Sequence, residues 1–186
     1  MWENCEKQEA RNRMKKGLFA VVVMLMSCCY LSAQTEEFLN YYNEAGQYSL
    51  DYPKSWEVEE TGEEGTVSLY APSEENELVY KHLQVSIAQW DEGSLEEFVA
   101  AAFSEAEMRK VYPDIEIRDA GISELNGTDI HSFEMSYTLN EEKVITLCYF
   151  EKKESRVYII LAASPEREYA LYKDTFLKIV RSLHIW

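Results

Sequence analysis

The sequence predicts an α+β fold: one antiparallel sheet of about six to eight strands sandwiched by helices. Three observations predict it. Strand-like segments come first, a single helix interrupts them, a meander of strands follows, and a helix closes the chain, without the strict strand-helix alternation of a parallel sheet. Asn126-Gly127 sits between two of the meander strands, and both residues tolerate the positive φ that a type I′ hairpin turn needs. Val144 to Phe150 and Val157 to Ala163 carry apolar residues on both faces, so the sheet centre is covered on each side.

The elements follow in order along residues 35–186, which show no repeat, low-complexity tract or linker and read as one domain. Phe38, Leu39 and Tyr42 suggest a short amphipathic turn over Glu36 to Asn43, broken by Gly46. Gln47 to Tyr52 alternates as a strand, Pro53-Lys54-Ser55 turns the chain, and Trp56 to Glu59 alternates again. Thr61 to Gly65 is an acidic turn, Thr66 to Tyr70 a strand, and Pro72 to Glu77 a polar loop. Lys81 to Trp90 is a longer strand with Leu83, Val85 and Ile87 on one face. Ser94 and Glu97 form a capping box for a helix reaching about Val111, with Leu95, Phe98, Val99, Ala102, Phe103 and Ala106 as its stripe. Four strands come next: Asp114 to Leu125, Thr128 to Leu139, Lys143 to Lys152 and Arg156 to Ala163. Ser164 caps the last helix, Pro165 takes its first position, and Tyr169, Tyr172, Phe176, Ile179, Val180 and Leu183 form its buried stripe.

The N-terminus reads as an export signal. Arg11, Arg13, Lys15 and Lys16 precede the apolar run Leu18 to Met26, and Ser27, Ser32 and Ala33 follow, so residues 1–34 are an N-terminal extension plus a removable signal peptide. Met14 makes an ordinary start for such a signal, leaving Met1 and Met14 as alternative starts. The run is too short for a permanent transmembrane helix, which is the alternative reading. Two processing routes fit. Leu25-Met26-Ser27-Cys28 resembles a lipobox that lipidates Cys28, although Met26 departs from the pattern, while Ser32-Ala33-Gln34 resembles a signal-peptidase cut between Ala33 and Gln34. The second leaves Cys148 as the sole cysteine and so precludes an internal disulfide; in its apolar strand Cys148 reads as a small buried hydrophobe.

Eighteen Lys and Arg against 34 Asp and Glu give a formal charge of -16, which repels nucleic acid and anionic lipid alike. Removing residues 1–34 takes away five basic and three acidic residues, so the remainder is more acidic still. An apolar fraction of 46% is enough for a folded core despite that charge.

The segment Gly46-Gln47-Tyr48-Ser49-Leu50-Asp51-Tyr52-Pro53-Lys54-Ser55-Trp56 resembles the opening of PsbP-like domains, where an alternating strand ends at a proline and a tryptophan follows three residues later. Leu125-Asn126-Gly127 with its aromatic-rich hairpin, and the closing helix from Tyr169 to Ser182, extend the likeness over residues 46–185. The resemblance implies the Mog/PsbP fold, shared by plant photosystem subunits, a nuclear Ran-binding factor and many exported bacterial proteins of unknown role. Those relatives are mostly non-enzymatic, and an export signal excludes the nuclear role. Tyr52, Pro53 and Trp56 are expected to shape a turn and fill the core.

The chemistry-bearing residues point the same way. No G-x-S-x-G elbow exists, since Gly121-Ile122-Ser123-Glu124-Leu125 lacks the second glycine, and His82, His131 and His184 lie far apart in the chain. His131 shares a strand face with Phe133, Met135 and Tyr137 and reads as a packing residue. There is no H-x-x-x-H, C-x-x-C or calcium-loop pattern, so no catalytic, metal or cofactor site is assigned. Acidic clusters at Glu57 to Glu64, Glu74 to Glu77 and Asp91 to Glu97 read as solvated surface, with weak calcium capture or docking of a basic partner as alternatives. The functional expectation is an exported, periplasmic, secreted or lipid-anchored accessory domain of the bacterial envelope that binds a protein or small molecule. A cryptic hydrolase assembled from scattered residues is the rival.

Overall fold

The computed structural model describes residues 36–73, 79–125 and 127–186. The N-terminal residues with Cys28, Ala33 and Gln34, on which the expected export signal falls, the acidic residues 74–77 and Asn126 of the hairpin lie outside the described residues.

The expected single sheet is replaced by two. Strands β1 (Phe38–Asn43), β2 (Tyr48–Pro53) and the short β10 (His184–Ile185) form a three-stranded sheet in the order β1-β2-β10. Strands β3 (Glu57–Glu60), β4 (Val67–Tyr70), β5 (His82–Gln89), β6 (Glu116–Leu125), β7 (Thr128–Leu139), β8 (Glu142–Lys153) and β9 (Arg156–Pro165) form a seven-stranded one. Its order is β3-β4-β5-β9-β8-β7-β6, every neighbour antiparallel. The meander β6 to β9 pairs in chain order as expected, and Gly127 takes a φ of 82° between Leu125 and Thr128.

Both faces of the large sheet are covered. Helix α1 (Leu95–Ala102) lays Phe98 and Val99 on one, over Phe133, Met135, Cys148, Phe150 and Ile159. The closing helix α3 (Glu166–Ser182) and the small sheet cover the other, joining Phe176, Ile179 and Val180 to Tyr48, Leu50, Leu83, Val85, Leu147 and Ile160. Trp56 fills the end of this second core, 5.8 Å from the Phe176 ring and near perpendicular to it. Its backbone N–H donates to the Pro53 carbonyl at 2.9 Å, so the Tyr52-Pro53 turn delivers the indole there. Residues Glu37–Trp186 thus form one compact unit.

Three local expectations change. Residues Phe38–Asn43 are a strand, because all six pair with β2 and a local turn would leave those backbone groups bare. The helix capped by Ser94 and Glu97 stops at Ala102; Phe103 leaves helical geometry at φ -126° and ψ 16°, which seats its ring 4.7 Å from Phe150. A single turn, α2 (Glu105–Met108), follows, and Ala102 and Ala106 are exposed rather than part of a stripe. Pro165 ends β9 and caps α3 itself, because Ser164 is drawn into the sheet opposite Ile145 and its side chain makes no cap bond.

Candidate functional site

Alternation along the edge strand β3 divides its acidic residues. Glu57 lies across from Tyr70 and Glu59 across from Ser68, on one face, while Val58 and Glu60 point to the other. The first face is the one that α1 covers over β7 and β8, but at this end of the sheet α1 is absent and a groove opens. Its volume is about 520 Å³, and Ser55, Glu57, Glu59, Tyr70, Pro72 and Tyr80 line it. Tyr80 is 54% exposed, its ring 6.2 Å from that of Tyr70 and at 81° to it. Two carboxylates and two roughly perpendicular phenol rings are the components of a cation site: the carboxylates supply charge and the ring faces supply their quadrupole.

The groove floor is fixed from below. His82 pairs with Tyr70 across β4 and β5, its ring 5.8 Å from the tyrosine ring. Its Nδ1–H donates to the Tyr80 carbonyl at 3.2 Å, and burial holds its pKa below the ordinary value. On the opposite face Lys81 is buried, its ammonium 3.3 Å from Glu168 and 5.7 Å from the Tyr172 ring centre. The segment carrying Tyr80 is therefore held on both sides of the sheet.

A second acid-lined recess of about 390 Å³ lies at the turn before β4, bordered by Tyr42, Glu44, Glu60, Glu63 and Glu64. Gly65, which also borders the recess, accepts a hydrogen bond from the Tyr48 hydroxyl at 3.1 Å.

The other residues singled out in the sequence are not brought together. His131 stands on β7 with its ring 6.3 Å from Phe133 and 6.4 Å from Phe150, and His184 lies on β10 with its ring 6.2 Å from Trp186. Cys148 is fully buried, and desolvation raises its thiol pKa far above the usual range. Among the described residues no three His, Cys, Asp or Glu side chains converge on a metal-sized site, and no helix is long and apolar enough to cross a membrane. Sequence reading grouped Glu57 to Glu64 as one acidic run. The period of two separates Glu57 and Glu59 from Glu60, but Tyr80 joins them only through the pairing of β4 with β5.

These features define a class: an α+β domain with a seven-stranded sheet covered on both faces and its recesses at the sheet edges. The PsbP family model matches residues 36–185, and the chain belongs to the PsbP family. The solution structure of a cyanobacterial PsbP from Synechocystis is similar with a TM-score of 0.61 at 14% identity, covering 83% of this chain and 96% of that one. A Pseudomonas aeruginosa protein of unknown function, described as a putative regulator, matches with a TM-score of 0.54 at 11% identity, over 81% of this chain and 98% of its own. LpqN of Mycobacterium tuberculosis, described as involved in cell envelope biogenesis, matches with a TM-score of 0.51 at 13% identity, over 83% and 87%. At such identities these structures establish the shared fold. No curated protein matches the chain in sequence.

Proposed function

We propose that this chain is an exported, non-enzymatic accessory domain of the bacterial envelope or secreted fraction, and that it works by holding a basic partner. The observation that carries the reading is the groove in which Glu57 and Glu59 face Tyr70 and Tyr80. Such a site attracts a lysine or arginine side chain through carboxylate charge and ring faces together, and the net charge of -16 steers a basic protein toward it. The leader-like pattern at residues 11–34 supports export, and the envelope role described for LpqN is consistent with it.

The test is a photo-reactive amino acid placed at Tyr80 in the native host, with Leu171 as a control site; Leu171 is 76% exposed on α3. The expected result is a cross-linked partner from position 80 but not from 171, lost in the Glu57→Lys, Glu59→Lys double variant. Capture from both positions alike, or capture indifferent to the two reversals, overturns the groove as the docking site. Intact mass of the protein recovered from membrane and soluble fractions tests export: an acylated chain beginning at Cys28 or a chain beginning at Gln34 supports it, and an unprocessed chain refutes it.

A further inference from the structure

Among the described residues the two sheets have four edges, and three of them are blunted. Edge strands present unpaired amides and carbonyls, which proteins protect by shortness, charge or a bulge. Strand β10 has two residues, and β3 has four, three of them glutamates. Strand β6 is long but bulged between Arg118 and Gly121, with Asp119 at a φ of 53°, and it carries Glu116, Arg118 and Glu124. Strand β1 reads Phe-Leu-Asn-Tyr-Tyr-Asn: six residues with no charge, no proline and no register shift.

The register shows which β1 groups lie open. The Lys54 N–H donates to the Glu37 carbonyl at 2.8 Å, and Phe38 stands opposite Pro53. In an antiparallel ladder these facts make Glu37, Leu39, Tyr41 and Asn43 the residues that exchange bonds with β2. The amides and carbonyls of Phe38, Asn40 and Tyr42 therefore face the edge that no strand among the described residues covers. Beside it, Tyr42 is 60% exposed and stacks on Trp186 with ring centres 4.7 Å apart, and Leu39 is 37% exposed. The acid-lined recess bordered by Glu44, Glu60, Glu63 and Glu64 begins at Tyr42, at the C-terminal end of the strand.

Charge selects the occupant. In antiparallel pairing of two β1 strands through these edge-facing residues, with Phe38 of one copy opposite Tyr42 of the other, Glu36 of each copy would stand opposite Glu44 of the other, and like charges directly across a ladder destabilise it. Two chains of net charge -16 repel besides. We propose that β1 is a strand-docking edge: an extended segment of a basic partner protein pairs with Phe38, Asn40 and Tyr42, and a lysine or arginine at its end enters the Glu44, Glu60, Glu63, Glu64 recess. The inference rests on the reading of the chain as a binding domain but uses a surface other than the β3 groove.

The test titrates the full chain with a synthetic peptide of alternating threonine and valine preceded by two lysines, and reads affinity together with hydrogen exchange over residues 38–43. Binding with slowed exchange in that segment is expected. Asn40→Pro removes an open-edge donor while leaving the backbone bonds of β1 to β2 in place, and should weaken binding about tenfold or more, whereas Asn40→Ala, which loses the same side-chain bonds to Leu50 and Asp51, retains it. Glu63→Lys with Glu64→Lys, both exposed, should weaken it independently of any folding defect in the proline variant. Unchanged exchange in the segment, equal binding by the proline and alanine variants, or a concentration-dependent dimer that Asn40→Pro abolishes would overturn the proposal. If Glu57→Lys with Glu59→Lys abolishes peptide binding while Asn40→Pro does not, the strand-docking proposal fails and the binding-domain reading stands.

Discussion

His82 shows how a single side chain ties the groove to stability. Its ring is half-buried between Tyr70 and the backbone of Tyr80, and desolvation lowers its pKa from 6.5, the value of the unfolded chain. A depressed histidine pKa means that the native state binds the proton less readily than the unfolded one, so stability rises with pH between the two values. The contribution is complete above the unfolded value of 6.5 and is lost as pH falls through it toward the folded pKa. Urea unfolding at a series of pH values should therefore show the native protein losing more stability between about pH 7.5 and 5.5 than His82→Gln does. Parallel curves would mean that His82 titrates alike in both states. At this scale the sequence was informative where one residue meets one core. Trp56 and Cys148 are buried as their local patterns required, and His131 packs beside Phe133, although its buried Nδ1 has no hydrogen-bond partner among the described residues. Tyr80 was silent, because a tyrosine beside a polar loop acquires meaning only from the strand that places it next to Tyr70.

Among the elements, the buried stripe of α3 was legible, though not its cap, because seventeen residues at helical spacing repeat one signal several times. Tyr169, Phe176, Ile179 and Val180 are buried as that spacing demands. Phe176 is fully buried between Trp56 and Tyr172, where α3 meets the large sheet and β2. Phe176→Ala should cost about 3–5 kcal/mol, the usual range for emptying a buried phenylalanine site. Chemical denaturation is the measurement, and a loss below about 1 kcal/mol would show that the site collapses to fill the gap. Strand β1 and the break in the first helix were less legible. Phe38, Leu39 and Tyr42 satisfy a helical turn and a strand almost equally well, and only the six-residue pairing with β2 decides between them. Likewise, the stripe of Leu95 to Ala106 is continuous in sequence, yet Phe103 leaves the helix and packs its ring on Phe150, a contact between distant segments. Two-residue β10 carries no periodicity at all and exists because α3 ends beside β2.

For the whole molecule, the split into two sheets is a non-local outcome: β1 and β2 leave the strand order of the meander and pair with the last residues of the chain, a contact that no window of sequence contains. The charge balance, by contrast, is readable directly and governs behaviour that no single contact explains. With 34 acidic against 18 basic residues, folding concentrates like charge on one surface, and that self-repulsion opposes the compact state. The exposed ion pairs Arg109–Glu105, Lys110–Glu107 and Lys54–Glu37 act in the opposite sense, but such pairs contribute little. Salt screens both, and at about 0.1 M the screening length is only about 10 Å, shorter than most separations across the surface. The net repulsion has more to lose, so added sodium chloride should stabilise the fold. Urea, being uncharged, isolates the effect: its unfolding midpoint should rise between about 10 mM and 500 mM sodium chloride, and Glu63→Lys with Glu64→Lys should raise the low-salt midpoint and flatten the dependence. A midpoint that falls with salt would show that the ion pairs outweigh the excess acid, and would remove the electrostatic ground on which a basic partner is expected.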